Sequence, residues 1–202
     1  AEARFELGKL YLIQQDLAGA EKEFRRAREA GYPENAVNPL IARALLSQRE
    51  YQRVLDELPA PAETTPETAT LQALRATAIL GLGRKDDARE ELQRALKRAP
   101  DNAEVHLALA QLALAEGDSD KAMRDLDQAL LIDPKHRDSL MLKGDLLRGA
   151  GKPAEAAGIY REILRIDPRN SSTRLALAGL AISENKLDEA RKEVDAALKL
   201  TP

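Results

Sequence analysis

The chain contains no cysteine and no tryptophan among its 202 residues. The first absence removes disulfides and thiolate metal ligands. It leaves the compartment open, since disulfide-free proteins occur everywhere. Aromatic residues make up only 3% of the chain, which suits helices packed through alanine and leucine. Positive charge is not in excess: the formal net charge is −3, the wrong sign to attract a phosphate backbone, so nucleic acid is not an expected partner. No apolar run approaches the roughly 20 residues that a helix needs to cross a bilayer. Catalytic signatures are missing too, with no GxSxG, no phosphate loop carrying Lys and Ser/Thr, and no HExxH. Gly81-Leu82-Gly83 reads as a helix terminus. The two histidines, His106 and His136, fall on a helix and in a loop and share no face. Carboxylate pairs such as Asp86-Asp87 and Glu90-Glu91 lie among Arg and Lys on what reads as a solvated helix surface. We therefore expect a noncatalytic protein with no cofactor, no metal and no small-molecule substrate.

What is present is a period. Pro100, Pro134, Pro168 and Pro202 recur every 34 residues. So do Ala88, Ala122, Ala156 and Ala190, then Leu92, Leu126, Tyr160 and Val194, then Ala95, Ala129, Ile163 and Ala197. Small residues such as Ala110 and Ala122 suit places where two helix axes approach to roughly 8–10 Å. Leu126 supplies apolar bulk. Pro134 is suited to end a helix, because it lacks an N–H and disfavours the α region for the residue before it. With 44% hydrophobic and 32% charged residues the chain has the composition of a folded protein. Isolated helices of about 14 residues are marginal in water, so each unit depends on burying its apolar stripe against the next.

A period of this length with helical patterning resembles the tetratricopeptide (TPR) repeat family. The resemblance implies an all-α fold, an α-solenoid forming a right-handed TPR superhelix of about six helix-turn-helix repeats. The frame divides 1–202 into one solenoid with repeats at 1–34, 35–68 (degenerate), 69–102, 103–136, 137–170 and 171–202. Repeat 1 matches through Leu7, Gly8, Tyr11, Ala20, Phe24 and Ala27. The chain starts without Met and stops at Thr201-Pro202, at repeat boundaries, which reads as a piece of a longer protein.

Turn chemistry follows the same frame. Gly31 reads as a helix-ending glycine, and Gly83, Gly117 and Gly151 occupy the turn between helices, with Asn185 as the usual substitute for a left-handed conformation. Gln15 and Arg49 break that rule, which leaves the first two turns either strained or differently shaped. In repeat 2, Pro39 is expected in the first turn of its first helix, and the second helix is expected to stop near Leu58. Thr65-Pro66 reads as an N-cap followed by Pro at N1, so 59–66 is an expected irregularity or hinge. Asp101-Asn102-Ala103-Glu104 has capping-box spacing, and Pro153 fits N1 of its helix. At the C-terminal end, Leu177, Val194 and Leu198 are expected on an exposed face open to self-association.

The resemblance also implies a concave face formed by the first helix of each repeat. Its candidate partner-binding residues are Phe5, Lys9, Leu12 and Ile13 in repeat 1, Arg43 and Leu46 in repeat 2, and Thr77 and Leu80 in repeat 3. They continue with Leu107, Gln111 and Leu114, then Met141, Asp145 and Arg148, and finally Leu175 and Ile182. The face is apolar, which fits either packing between repeats or a groove for an apolar segment of a protein or peptide partner. The dicarboxylate clamp of chaperone-binding TPR proteins has no register here: repeat 1 offers Phe5 and Lys9, repeat 2 Leu40, and repeat 3 Thr70 and Leu74.

A narrower resemblance is carried by ARFELGKLYL, AGAEKEFRRAREAGYPENAVNPLIARALL and YQRVLDELPA. These runs resemble the TPR-repeat lipoproteins of the bacterial PEP-CTERM/exosortase system. That implies a bacterial envelope setting linked to exopolysaccharide, with any membrane attachment made through an anchor outside this chain. A spacer with an empty groove, or direct polysaccharide contact, is the alternative to partner binding. Phe5 is the single aromatic on the face.

Overall fold

A computed structural model describes residues 1–14, 16–63 and 65–200. Gln15 and the closing Thr201-Pro202, all singled out above, lie outside these residues. The described residues form twelve helices and no strands: α1 (Glu2–Ile13), α2 (Leu17–Glu29), α3 (Glu34–Ser47), α4 (Tyr51–Glu57), α5 (Pro66–Gly81), α6 (Lys85–Arg98), α7 (Ala103–Glu116), α8 (Ser119–Ile132), α9 (Arg137–Gly149), α10 (Pro153–Ile166), α11 (Ser171–Ser183) and α12 (Leu187–Leu198). The fold is an α-solenoid built from helix pairs. Odd-numbered helices are the first of each pair (helix A) and even-numbered ones the second (helix B).

The helices gather into two compact units, Ala1–Asp118 and Ser119–Pro202. The first has two apolar centres. One joins Phe24, Ile41, Leu45, Val54, Leu58 and Leu74. The other joins Ala73, Leu92, Ala95, Val105 and Leu112. In the second unit Leu140, Leu147, Tyr160, Ile163, Leu177 and Leu180 form the core.

Two helix pairs close on a size-matched contact. A Cβ built on Gly8 would stand 2.6 Å from Cε1 of Phe24, and one on Gly144 would stand 2.5 Å from Cε1 of Tyr160. Neither ring has room to withdraw, since Phe24 and Tyr160 are both fully buried. In the sequence the same two columns hold Ala42 and Leu58, Ala76 and Leu92, Ala110 and Leu126, and Ala178 and Val194. Glycine accompanies a ring and alanine an aliphatic residue in every repeat.

Turn conformations follow the glycine column, and Arg49 with them. Gly83, Gly117 and Gly151 have φ of 80, 86 and 72°, and Asn185 has φ 57°. Arg49 adopts the same conformation at φ 60°, so its turn has the ordinary shape and carries strain. A left-handed L-residue costs roughly 1–2 kcal/mol. Arg49→Gly is therefore expected to raise stability by about 1 kcal/mol, measured by urea titration of the helical circular dichroism signal. A loss of stability would contradict the strained-turn reading.

Repeat 2 departs from the others as its prolines suggest. Helix α4 has only seven residues, and its C-cap is Leu58. Arg75 on α5 supplies donors to the freed end, bonding the carbonyls of Leu55 and Leu58. Burial pulls its guanidinium pKa down, against the opposing effect of Glu91. Thr65 caps α5, its hydroxyl accepting from the Thr68 amide at 3.4 Å while Thr68 Oγ1 accepts from the Thr65 amide at 2.8 Å. An ion cluster ties α4 to α2. Arg53 reaches Glu21 at 2.8 Å, Glu50 at 3.0 Å and Glu57 at 2.9 Å, and Arg25 pairs with Glu21 and Glu57. Burial opposes the Glu21 and Glu57 charges, but bonds from Arg25 and Arg53 outweigh it and hold both below the ordinary carboxylate value.

Four local expectations need correction. Glu91 is buried, not on a solvated surface, and pairs with Arg94 at 2.5 Å and Arg75 at 3.9 Å. Pro39 lies inside α3, not in its first turn, because Pro33 caps a helix that begins at Glu34. Asn102, not Asp101, caps α7, its side chain accepting from the Val105 amide at 3.1 Å; Glu104 instead pairs with Arg43. Leu177 is 8% exposed, drawn into the second core rather than left open. Val194 is half-buried, while Leu198 is exposed as expected.

Candidate functional site

Each unit presents its own helix A face. In the first, Phe5 is half-buried, stacked on Tyr32 with ring centroids 4.3 Å apart and tilted against Phe24 at 5.9 Å. Its ring thus serves packing, with the Lys9 ammonium 5.4 Å above its centroid. A hydrogen bond to Glu6 raises the Lys9 pKa. Leu12 and Leu46 pack half-buried against one core and Leu80 against the other. Leu114 is also half-buried. Leu107, expected on the contact face, is 3% exposed and belongs to the packing, out of reach of a partner. Ile13 is the opposite case at 70% exposure, and Leu10 beside it is exposed as well.

Polar positions of this face bond to each other. Arg43 pairs with Glu104, and Thr77 donates to Gln111 Oε1 at 2.9 Å. The latter two occupy the same place in successive repeats. Residues that pair across helices in this way stiffen a face and present it with its charges matched.

The second unit has the more open face. Met141 packs half-buried against the core. Asp145 accepts from the Tyr160 hydroxyl at 2.7 Å and from Arg148 Nη2 at 3.2 Å. Burial, then the bond to Asp145, pushes the Tyr160 phenol up to about 12. The hydrogen bonds of Tyr160 and Asp145 raise the Arg148 pKa. Leu175 and Ile182 on α11 stand 54% and 59% exposed. Arg148 and Leu175, which lie 27 residues apart in sequence, line one hollow of about 600 Å³ together with Gly151, Pro153, Ala176, Gly179, Leu180 and Ser183.

Residue-type reasoning misses Gly179, Ser183 and Glu104. Gly179 and Ser183 share their columns with Lys9 and Ile13, so the frame itself contains the signal for those two. Gly179 escapes such reasoning because it has no side chain to count.

The histidines are occupied by neighbours. His106 Nε2 lies 2.8 Å from the Pro100 carbonyl, and His136 Nδ1 lies 2.8 Å from Ser139 Oγ. Among the described residues no group of three His, Cys, Asp or Glu is placed to hold a metal ion, and no helix is long and apolar enough to cross a membrane.

Comparison with known proteins agrees with the helix-pair geometry. One tetratricopeptide repeat model matches residues 80–146 and 147–202. A second matches residues 1–36. No curated protein matches the sequence. Among solved structures, TTC0263, a thermophilic TPR protein of Thermus thermophilus, superposes with TM-score 0.67 at 19% identity, covering 90% of this chain and 98% of that one. MamA superposes with TM-score 0.58 at 18% identity, covering 88% and 93%. The APC/C hetero-tetramer Cut9–Hcn1 gives TM-score 0.64 at 14% identity, covering 98% of this chain and 39% of that one. The repeat period, the helix pairs and the matched models together establish that the chain belongs to the tetratricopeptide repeat family.

Proposed function

We propose that the chain is a noncatalytic scaffold that holds a segment of a protein partner on its helix A faces. The observation that carries this reading is on α11. Two large apolar side chains, Leu175 and Ile182, are left more than half exposed on that helix, beside a hollow with a cation at its edge. A protein surface that leaves large apolar groups together in water commonly marks an interaction site. Protein partners are what TPR folds typically take, and one structural neighbour, Cut9–Hcn1, is a hetero-tetramer. The resemblance of the repeat 1 and repeat 2 runs to exosortase-system lipoproteins supports a bacterial envelope setting for the assembly, with a lipid anchor outside this chain.

Photocrosslinking in the native host tests the reading. With the reactive group at Ile182 we expect a discrete adduct; at Arg165, exposed on the helix B side of α10, we expect none. Folded protein that crosslinks at neither position would overturn it in favour of a spacer.

A further inference from the structure

The hollow beside α11 contains a glycine that the chain itself does not need. Gly179 lies in the interior of a thirteen-residue helix, where glycine is unfavourable relative to alanine. Gly8 and Gly144 have a reason to lack a side chain, because Phe24 and Tyr160 occupy the space. A Cβ on Gly179 would meet nothing within 4 Å. Gly158 on α10 is likewise unhindered but does not line the hollow. At Gly179 the missing side chain deepens a cleft whose walls are Leu175, Leu180 and Pro153. Its volume, about 600 Å³, is that of an ordinary ligand cleft.

The charged side chain in the lining is Arg148. It is 53% exposed. Its carboxylate neighbour, Asp145, is shared with the Tyr160 hydroxyl. A guanidinium has five donors in a planar fork, and the bonds to Asp145 at 3.2 Å and to the Tyr160 hydroxyl engage only part of it. The remainder of the fork is suited to an incoming carboxylate.

We propose that this hollow seats an apolar turn of a protein partner, with an Asp or Glu next to the apolar residue pairing with Arg148, and that Gly179 is kept open for it. This rests on the reading that helix A faces hold a partner segment. It adds the chemistry of that segment: apolar and acidic, entering beside α11.

A random peptide library displayed on phage and panned against the whole chain is the test. We expect enriched sequences to join a large apolar residue to a nearby Asp or Glu. The synthetic peptide should bind Gly179→Met at least about tenfold more weakly, while the thermal midpoint of that variant stays level or rises, because methionine is the better helix former. Arg148→Glu should weaken binding similarly, and panning against it should select Lys or Arg in place of the acid. Peptides without an acid, or binding that ignores Gly179→Met, would overturn the inference and leave the scaffold reading standing on the Ile182 adduct. So would failure of the library to enrich while that adduct forms. Self-association of the chain that Gly179→Met abolishes, seen by sedimentation, would overturn it too and put a second copy in the hollow. Failure of both enrichment and adduct would remove both readings.

Discussion

Phe24→Ala is expected to destabilise the first unit by about 3–5 kcal/mol, the largest effect of any single truncation in its core. Phe24 is fully buried, and the residue facing it is Gly8, which has no side chain to advance into the gap. Removal of the ring therefore leaves a void bounded by backbone on one side. The other ring in contact is Phe5, which is already stacked on Tyr32 and would have to leave that partner to follow. Domains are stable by only about 5–15 kcal/mol in total, so the first helix pair should open locally before the rest of the unit. Hydrogen exchange of the α1 and α2 amides, compared with α5 and α6, reads the difference. A loss under about 1 kcal/mol, or equal loss of protection across the unit, would show that the site collapses and that the glycine–ring contact is not what holds the pair.

Gly144→Val is the converse experiment and should cost the second unit about 3 kcal/mol, the upper end of what overpacking usually does. Even the first added carbon falls 2.5 Å from Tyr160. The ring is fully buried, and its hydroxyl is tied to Asp145 at 2.7 Å, so it cannot swing aside without breaking that bond. The double variant Gly144→Ala with Tyr160→Leu reproduces the pairing that repeat 3 has as Ala76 with Leu92. It should recover most of the loss, as measured by urea titration. If the double variant is as unstable as Gly144→Val, size matching between these columns is not the governing constraint.

Much of the fold was legible because its determinants are local. Pro100, Pro134 and Pro168 each stand two residues past the end of a helix, α6, α8 and α10, so the 34-residue proline spacing marked the repeat, and Thr65-Pro66 announced the start of α5 after a shortened α4. Where local rules compete, neighbours decide. Asp101 and Asn102 can each cap a helix, and Asn102 does so because the helix begins at Ala103. Arg49 enters a left-handed turn that its side chain disfavours, because the helices on either side impose it.

The candidate face was the least legible part. Leu107 and Leu175 hold the same place in their repeats, yet one is 3% and the other 54% exposed. Column position sets which way a side chain leaves its helix; which helices then cover it is a long-range matter. The contact between Arg43 and Glu104, 61 residues apart, is likewise invisible to any periodic rule.

The glycine–ring and alanine–aliphatic pairs also bear on how such a chain can be inherited. Each pair is split between the two helices of one repeat, so an exchange of sequence that breaks within the interhelical turn would join Gly8 to a leucine or Ala76 to a tyrosine. The first product has a void and the second a clash. Exchanges that break between repeats keep the pair intact. The stack should therefore grow, shrink and recombine in whole repeats.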